Sequence, residues 1–402
     1  MSAYKLQAQQ NLVNWAQTQR DYDVLREQGE VVRVDFPFGG EGWMTTTYDL
    51  ARKFYNDPTF SIEKMMSMSD YPRIRQIEAS NAGNPSFLQY DGAKHQAKRA
   101  VLMKHLTVKR VNAMRARTQE FIDAGLDDFE AQGAPADITT IFARLVPLHV
   151  LCAMLGTPTI TDRDFIESCY LIVDSRAKTM EDVIEAYTIQ SRFFSELYEE
   201  KVRNPGDDLM SAMIQDTADG LWTADELRSL GTTLLAAAHD ATGAMLNGML
   251  EWLSYEPELY QRLRQEPESF PRAFEELFRL VSVGIGVARG RVAAEDTDLG
   301  GVHIREGEAV GGNLLAAHFD PAAFPNPTAF DMDRENPNPH LAFGYGPHAC
   351  PGAQLARMEI SLALKTVLQR YERFENVQPS EGWRERRLLK GAPEVVVRWE
   401  RA

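Results

Sequence analysis

The chain has 402 residues, of which 44% are hydrophobic and 25% charged, a composition typical of folded globular proteins and not of disordered ones. Its formal net charge of -15 argues against general nucleic-acid binding, which needs a broad basic surface. The three cysteines, Cys152, Cys169 and Cys350, form no CxxC pair, so neither a disulfide framework nor a cysteine-rich zinc site is indicated. The N-terminal residues show no signal-peptide pattern, and no apolar run reaches the roughly 18 residues of a membrane span. We therefore expect a soluble, cytoplasmic protein that binds neither membranes nor nucleic acid.

Helical periodicity dominates the first half of the chain. A short run that reads as strand, VVRVDFPFGGEGWMTTT, comes before it. The pattern then predicts helices over 47–56, 93–107, 108–133 and 138–156, the last ended by Gly156, and two or three more within 162–202.

A long helix is predicted from Thr223 to about residue 255. Thr223 and Glu226 have the spacing of a capping box, and the following LGTTLLAAAHDATGAMLNGMLEWL is apolar on most faces. Because so many of these residues are Ala or Gly, the helix allows a flat or bulky group to approach closely.

The C-terminal third has a different character. Short alternating runs with Gly turns over 288–313 predict small β-hairpins, and the Pro-rich stretch 320–339 has neither a helix nor a strand pattern. A stretch of that length without regular structure is usually functional in a compact protein. Since there is no internal repeat and no low-complexity linker, we predict one large, mostly α domain with small β-sheets over residues 1–402.

Cys350 stands in the loop FGYGPHACPG, directly before the amphipathic helix AQLARMEISLALKTVLQRY. The N-terminus of a helix offers free N–H groups and a positive dipole end, which stabilise a thiolate. Gly344, Gly346 and Gly352 allow close backbone approach or positive φ, and Phe343 can shield one side. This local chemistry suits a metal-ligating thiolate, and a buried structural cysteine in a Gly-rich loop is the alternative.

The spacing Phe-Gly-x-Gly-x-His-x-Cys-x-Gly over 343–352 resembles the haem-binding loop of the cytochrome P-450 family. Other segments are similar to bacterial members and occur in the family's order: DGAKHQAKRAV, RNPGDDLMSAM, EELFR, AAHFDPAAFPNPTAFDMDR and NPHLAFG. The resemblance covers essentially the whole chain. It implies the cytochrome P-450 fold, a haem b cofactor and a haem-thiolate monooxygenase activity.

The resemblance also implies roles for individual residues. Cys350 is the expected axial thiolate on the haem iron, where thiolate donation favours O–O cleavage. The expected haem-binding residues are His95, Arg99, Arg291 and His348 at the propionates, with Phe343, Gly344 and Ala237 around the ring. A structural network of Glu276 and Arg279, an i,i+3 pair, with Arg334 is expected behind the haem.

The segment AAAHDATGAM is similar to the family's Ala-Gly-x-(Asp/Glu)-Thr-Thr segment on the oxygen side, where an acid and an alcohol help to deliver protons. Asp240 falls on the acidic position, but Ala241 falls on the alcohol position and Thr242 follows it. One residue along a helix turns about 100°, so Thr242 should point elsewhere. Either Thr242 substitutes, or a substrate hydroxyl or ordered water fills the gap, or the enzyme couples substrate radicals without ordinary oxygen insertion. His239 precedes Asp240, and we expect it to pack against neighbouring helices or to form a hydrogen bond with the backbone.

The resemblance also implies a substrate pocket. Its expected lining is the segment 65–90, Ala237, Ala238, Ala241, the segment 283–288, Leu388 and Leu389, with possible polar contacts from Ser67, Ser69, Gln76, Asn81, Asn84 and Gln89. Small residues leave room for a bulky ligand. We expect a moderately polar, ring-containing natural product, with a cyclic dipeptide as one candidate, oxidised by hydroxylation or by coupling and cyclisation.

Electrons must reach the haem from outside, since no GxGxxG motif follows a predicted strand. Residues 91–117 carry eight Lys and Arg against one acid, a local basic patch that suits an acidic ferredoxin, itself reduced by an NAD(P)H-dependent reductase. We expect a monomer. The alternatives are a peroxide-driven peroxygenase and a non-catalytic haem sensor or carrier.

Overall fold

The computed structural model describes residues 4–5, 15–36, 40–68, 86–157, 160, 162–173, 179–217, 219–281, 283, 290–334, 340–378 and 392–402. The chain is mostly helical. In chain order its helices are α1 Trp15–Gln28, α2 Tyr48–Asn56, α3 Ile62–Ser67, α4 Gly92–His105, α5 Val108–Ala113, α6 Arg115–Glu130, α7 Leu145–Leu155, α8 Arg163–Val173, α9 Met180–Arg203, α10 Leu209–Asp216, α11 Ala224–Leu234, α12 Asp240–Tyr255, α13 Pro257–Gln265, α14 Phe270–Leu280, α15 Leu314–His318 and α16 Ala353–Arg370.

The strands are short. They are β1 Tyr4–Lys5, β2 Val31–Asp35, β3 Glu41–Thr45, β4 Phe60–Ser61, β5 Ala136–Asp137, β6 Arg291–Ala293, β7 Thr297–Leu299, β8 Val302–Ile304, β9 Ala309–Gly312, β10 Tyr371–Asn376 and β11 Val396–Arg401. The chain forms two compact units. The first is Met1–Ile74, Leu88–Gln96 and Ser269–Cys350, and the second is Arg75–Phe87, Ala97–Glu268 and Pro351–Ala402.

The first unit is built on a six-stranded mixed sheet of order β1-β2-β3-β9-β6-β4. β2 and β3 pair antiparallel, with Val32 opposite Met44, and β3 continues parallel to β9, with Thr45 opposite Gly312. A buried apolar cluster that includes Val34 and Met44 packs within this unit. The small hairpin of β7 and β8 completes it, so the hairpins expected over 288–313 are confirmed.

The second unit is largely helical, with a three-stranded sheet of order β10-β11-β5. The central helical run is held by a buried amide: Asn247 accepts a hydrogen bond from Thr139 Oγ1 (2.9 Å) and donates one to the carbonyl of Ala392 (3.2 Å). The capping box of Thr223 and Glu226 is present at the start of α11, as the sequence predicts. These contacts fix where the residues after 234 lie within this unit.

Two helical segments contain a turn of π-helix that periodicity does not predict. One spans Thr139–Ala143 before α7, and the other spans Leu235–His239 between α11 and α12. The expected helix 138–156 and the expected helix from 223 to 255 are otherwise confirmed, and Gly156 ends α7 in the left-handed conformation at φ 79°. One extra residue in a turn shifts the following side chains by about 100°, but a segment that is apolar on most faces, as this helical run is, does not show that shift in its sequence pattern.

Other elements differ from the sequence predictions. The helix expected over 108–133 is two helices, α5 and α6, because the chain breaks at Met114. The helix α1 was not predicted, since WAQTQRDYDVLREQ is mostly polar and shows little apolar periodicity. Residues 320–334 contain neither helix nor strand, as expected for the described part of the Pro-rich stretch.

Candidate active site

The loop before α16 places Cys350 at the surface of the first unit. The Cys350 N–H donates a hydrogen bond to the Phe343 carbonyl (2.8 Å), and the cysteine is exposed. Gly344 and Gly346 take positive φ of 72° and 71°. A Cβ on Gly346 would lie 2.6 Å from the carbonyl oxygen of Tyr55, so only glycine fits there.

The third glycine of the loop behaves differently. Gly352 has φ -87°, a value that any residue adopts, so it does not take the positive φ that was one of its two expected roles. It is the N-cap residue of α16, directly before the first residue of that helix.

Two of the residues expected at the propionates lie against each other in the first unit. The rings of His95 and His348 are stacked, with centroids 3.9 Å apart and an interplanar angle of 13°. His95 is fully buried on α4, and His348 belongs to the short turn Gly346–His348. Residues that are far apart in the sequence thus present two imidazoles at one place.

Asp91 was not among the residues predicted from sequence. Its Oδ1 lies 3.3 Å from His348 Nε2, and its Oδ2 accepts hydrogen bonds from Ser61 Oγ (2.7 Å) and the Glu63 N–H (2.9 Å). Burial alone would raise the pKa of Asp91, but the hydrogen bonds, led by that with His348, lower it to about 2. An Asp directly before a helix reads as an N-cap, so its link to His348 had no signal in the sequence.

Arg291, the third expected propionate residue of this unit, is only 4% exposed. It donates a long hydrogen bond (3.4 Å) to the Phe60 carbonyl, and its guanidinium lies over the rings of Phe54 and Tyr55. Burial lowers the pKa of Arg291. A guanidinium in such apolar surroundings suits an anionic ligand.

The expected network of Glu276, Arg279 and Arg334 is present. Glu276 bridges Arg279 through two hydrogen bonds (2.7 and 2.8 Å) and accepts a third from Arg334 Nε (3.2 Å). The Arg279 side chain is almost fully buried and also donates to two carbonyls, that of His318 at the end of α15 and that of Pro327 in the irregular stretch. The Pro-rich segment therefore takes its shape from arginine side chains that satisfy its backbone.

The second unit carries the residues expected on the oxygen side. The π-helical turn Leu235–His239 contains Ala237, which is half-buried, and Asp240 begins α12 directly after it. Asp240 and Ala241 are half-buried, whereas Thr242 is 8% exposed. This difference agrees with the expected turn of about 100° between adjacent side chains.

His239 is buried at the end of the same π-helical turn. Burial, with the nearby charge of Arg144, lowers its pKa to about 3, so the imidazole is neutral at physiological pH. Its burial agrees with the expected packing against neighbouring helices.

Arg99, on α4, is half-buried.

Comparisons with known proteins identify the family and the fold. The family model for cytochrome P450 matches residues 165–389. The chain is 36% identical over 380 residues to nocardicin C N-oxygenase of Nocardia uniformis subsp. tsuyamanensis, covering 94% of each chain. It is also 36% identical over 382 residues to the mycinamicin IV hydroxylase/epoxidase of Micromonospora griseorubida, again covering 94% of each.

The chain belongs to the cytochrome P450 family. Among solved structures, the crystal structure of cytochrome P450 MoxA from Nonomuraea recticatena matches with a TM-score of 0.84 and 32% identity, over 94% of this chain and 95% of that one. The expected fold class, mostly α with small β-sheets and the P450 fold, is confirmed. The protein is a cytochrome P450 monooxygenase, and its relatives include enzymes named for natural products.

The donor set of the first unit fits the haem of this family. Two stacked imidazoles and a buried guanidinium suit paired carboxylates, and an exposed thiol on a Gly-rich loop suits an iron ligand.

Within the part of the chain described, no helix is long and apolar enough to cross a membrane.

The predicted pocket of this P450 is only partly visible. Outside the described residues lie Ser69, Gln76, Asn81, Asn84, Leu388, Leu389 and the residues of 283–288 other than Val283. Of the two remaining polar candidates, Ser67 is exposed and donates to the Lys64 carbonyl (2.7 Å), and Gln89 is half-buried. Ala238 is half-buried, like Ala237.

The basic patch over 91–117 is less basic than the sequence suggests. Acids from other segments pair with several of its exposed cations: Glu63 with Lys94, Asp216 with Lys104, and Asp207 with Arg110. Within the described residues, Lys109 and Arg115 are exposed and no acidic side chain lies within ion-pair distance of either.

Proposed function

We propose that this P450 holds haem b through the Cys350 thiolate and oxidises a ring-containing natural product with electrons from an external ferredoxin and its NAD(P)H-dependent reductase. The observation that carries the proposal is the loop geometry: an exposed Cys350 whose N–H is tied to Phe343, between two glycines of positive φ and the start of α16. Cys350 would hold the haem iron, and the bound thiolate-ligated haem would supply dioxygen activation and C–H oxidation.

His95, Arg99, Arg291 and His348 are proposed to bind the propionates. Phe343 and Gly344 are proposed to lie against the ring at the thiolate, and Ala237 at the oxygen side. Imidazole and guanidinium groups neutralise carboxylates, and buried ones do so more strongly than exposed ones because the local dielectric is low.

Asp240 is proposed as the group that passes protons to the oxygen side. Ala241 has no hydroxyl, and the burial of Thr242 supports the view that its hydroxyl does not take that place. The better-supported reading is that a substrate hydroxyl or an ordered water completes the path from Asp240. Hydroxylation and oxidative coupling or cyclisation both remain within this proposal.

The substrate class is proposed from residue size and from the relatives. Ala237, Ala238 and Ala241 are small and half-buried, which leaves room for a bulky ring system. The relatives are named for the oxidation of nocardicin C and mycinamicin IV. A cyclic dipeptide is a narrower candidate within the same class.

Cytoplasmic location, a monomeric state and one P450 domain over residues 1–402 remain predictions.

The test of the ligand is spectroscopic. The reduced CO complex of the wild-type protein should show the red-shifted Soret band of a thiolate ligand, and Cys350→Ser should lose it. Cys169→Ala is the matched control, because Cys169 is buried in α8 and should leave the band unchanged. Persistence of the band in Cys350→Ser would refute the assignment.

The electron source and the substrate are tested by turnover. Ferredoxin, reductase and NAD(P)H should support oxidation, and Lys109→Glu and Arg115→Glu should slow reduction of the iron by ferredoxin without changing the CO spectrum. Turnover with peroxide alone, at a rate matching or exceeding the ferredoxin system, would favour the peroxygenase. A panel of cyclic dipeptides, macrolides and β-lactams, screened by the ferric spin-state shift, ranks the substrate classes.

A further inference from the structure

His340 connects a glutamate on α14 to the backbone of the segment that leads into the Cys350 loop. Its Nε2 lies 2.8 Å from Glu275 Oε2, and its Nδ1 accepts a hydrogen bond from the Ala342 N–H (3.2 Å). The His340 side chain is 7% exposed and that of Glu275 is 44% exposed. The pair thus reaches from the surface to the buried side of the loop.

These two bonds require one form of the imidazole. Because Nδ1 accepts the Ala342 N–H, it carries no proton, so the proton must be on Nε2, where it is donated to Glu275. Glu275 therefore selects the tautomer of His340. Without the carboxylate, the ring is free to place its proton on Nδ1, which would set two donors against each other at Ala342.

A second imidazole holds the adjacent residue. His318 Nε2 accepts the Leu341 N–H (2.7 Å), and the Leu341 carbonyl accepts the Gly344 N–H (2.8 Å). Since the Phe343 carbonyl accepts the Cys350 N–H, the turn 341–344 lies between the two imidazoles and the backbone of the cysteine. The position of this turn sets the position of Cys350.

Ring contacts make the arrangement rigid. Phe278, which is buried on α14, stacks on His340 (5.6 Å between centroids, 21°) and packs on Phe343 (4.9 Å). A change in the orientation of His340 must therefore be transmitted to Phe343, whose carbonyl holds Cys350.

We propose that Glu275 and His340 are positioning residues for the thiolate: Glu275 fixes the tautomer of His340, and His340 fixes the turn that orients Cys350. The inference rests on the proposed function, in which Cys350 binds the haem iron. Neither residue touches the iron, and groups one layer removed from a metal ligand commonly control its geometry.

The experiment compares Glu275→Leu, Glu275→Gln, His340→Asn and the double variant His340→Asn/Glu275→Leu, all loaded with haem. The control is Arg272→Gln, which breaks an exposed ion pair with Asp333 on the same helix as Glu275. One readout is the fraction of the reduced CO complex that lacks the red-shifted thiolate Soret band. The other is amide hydrogen exchange of the peptide containing residues 341–350.

We expect Glu275→Leu to increase the fraction without the thiolate band on the order of tenfold, and to speed exchange in the loop roughly fivefold, the equivalent of one lost hydrogen bond. Glu275→Gln should stay near wild type, because its amide oxygen still accepts the Nε2 proton. In the His340→Asn background Glu275→Leu should add nothing, since the introduced amide accepts the Ala342 N–H with its oxygen and has no tautomer to select.

Two results would overturn the proposal: Glu275→Leu matching Arg272→Gln in both readouts, or Glu275→Leu having the same effect with and without His340. A loss of melting temperature with an unchanged Soret band and unchanged exchange would mean a role in stability alone, and would also overturn it. If the wild-type protein itself lacks the thiolate band, the proposed function fails instead, so the two failures are distinct.

Discussion

A buried ion pair anchors the start of the oxygen-side helical run, and its removal gives a prediction that can be worked from the structure. Lys98 Nζ lies 2.8 Å from Glu226 Oε2 and donates to the Leu221 carbonyl (2.6 Å), and both side chains of the pair are 6% exposed. The same Glu226 oxygen accepts the Thr223 N–H (2.9 Å) of the capping box. One carboxylate thus serves the cap of α11 and the lysine of α4.

Lys98→Met leaves this carboxylate buried without its countercharge, which costs about 3–4 kcal/mol in the free energy of unfolding. Glu226→Gln keeps an acceptor for Thr223 but strands the ammonium, at a similar cost of roughly 3 kcal/mol. The double variant removes both charges and should lose only about 1–2 kcal/mol. For 402 residues the unfolding entropy is about 0.8 kcal/mol/K, so Lys98→Met should lower Tm by roughly 4 °C.

The assay is urea and thermal unfolding of the four proteins in the double-mutant cycle. Arg262→Met is the matched control, because Arg262 pairs with Glu266 at the end of α13 on the surface and should cost at most about 0.5 kcal/mol. A loss below about 1 kcal/mol in Lys98→Met, or strictly additive losses in the double variant, would show that the pair is not the anchor inferred from its burial.

Three further predictions concern the site. The pKa of Asp91 is lowered to about 2 in the folded protein, so its carboxylate stabilises the fold above the unfolded pKa near 4, and this stabilisation is lost as pH falls towards 2. Asp91→Asn should therefore lower the free energy of unfolding by about 1–2 kcal/mol at pH 7. In urea titrations the difference from wild type should vanish near pH 2. The same variant should weaken haem retention, measured by transfer to apomyoglobin, because the neutral amide is a weaker acceptor for His348 than the carboxylate. Ala241→Thr should change product formed per NAD(P)H consumed by less than roughly threefold if substrate or water completes the proton path, and a gain of an order of magnitude would contradict that reading. Gly346→Ala should destabilise the protein by roughly 2 kcal/mol or more and raise the fraction of haem-free protein, since its Cβ would meet the Tyr55 carbonyl, and a wild-type Tm in this variant would refute the steric argument.

Much of the fold and part of the site could be read from local patterns. The capping box at Thr223 and Glu226, the left-handed Gly156 and the i,i+3 pair of Glu276 and Arg279 all appear in the structure as predicted. Each depends on residues within one or two turns of the same segment, where backbone geometry fixes which side chains meet.

The long-range contacts were decided by the tertiary structure. The sequence assigns His95 and His348 to one ligand, but their stacking and the role of Asp91 appear only in the fold. The pairing of Glu275 with His340 also had no sequence signal, because a glutamate before Glu276 reads as an ordinary solvated helix residue. Such pairs depend on the path of the chain between distant segments, which no local window contains.

The same distinction divides the chemistry of this P450. The sequence alone determined which residue to propose as the iron ligand, because the spacing of Cys350 and its glycines over 343–352 resembles the haem-binding loop of the family. It could not determine how that loop is held. Nor could it show that acids such as Asp216 offset the basic patch, because a charge interacts most strongly with the groups that the fold places within a few ångströms of it. Local geometry therefore fixed the form of the cysteine loop, and only tertiary contacts fixed its support and the surface charge of the basic patch.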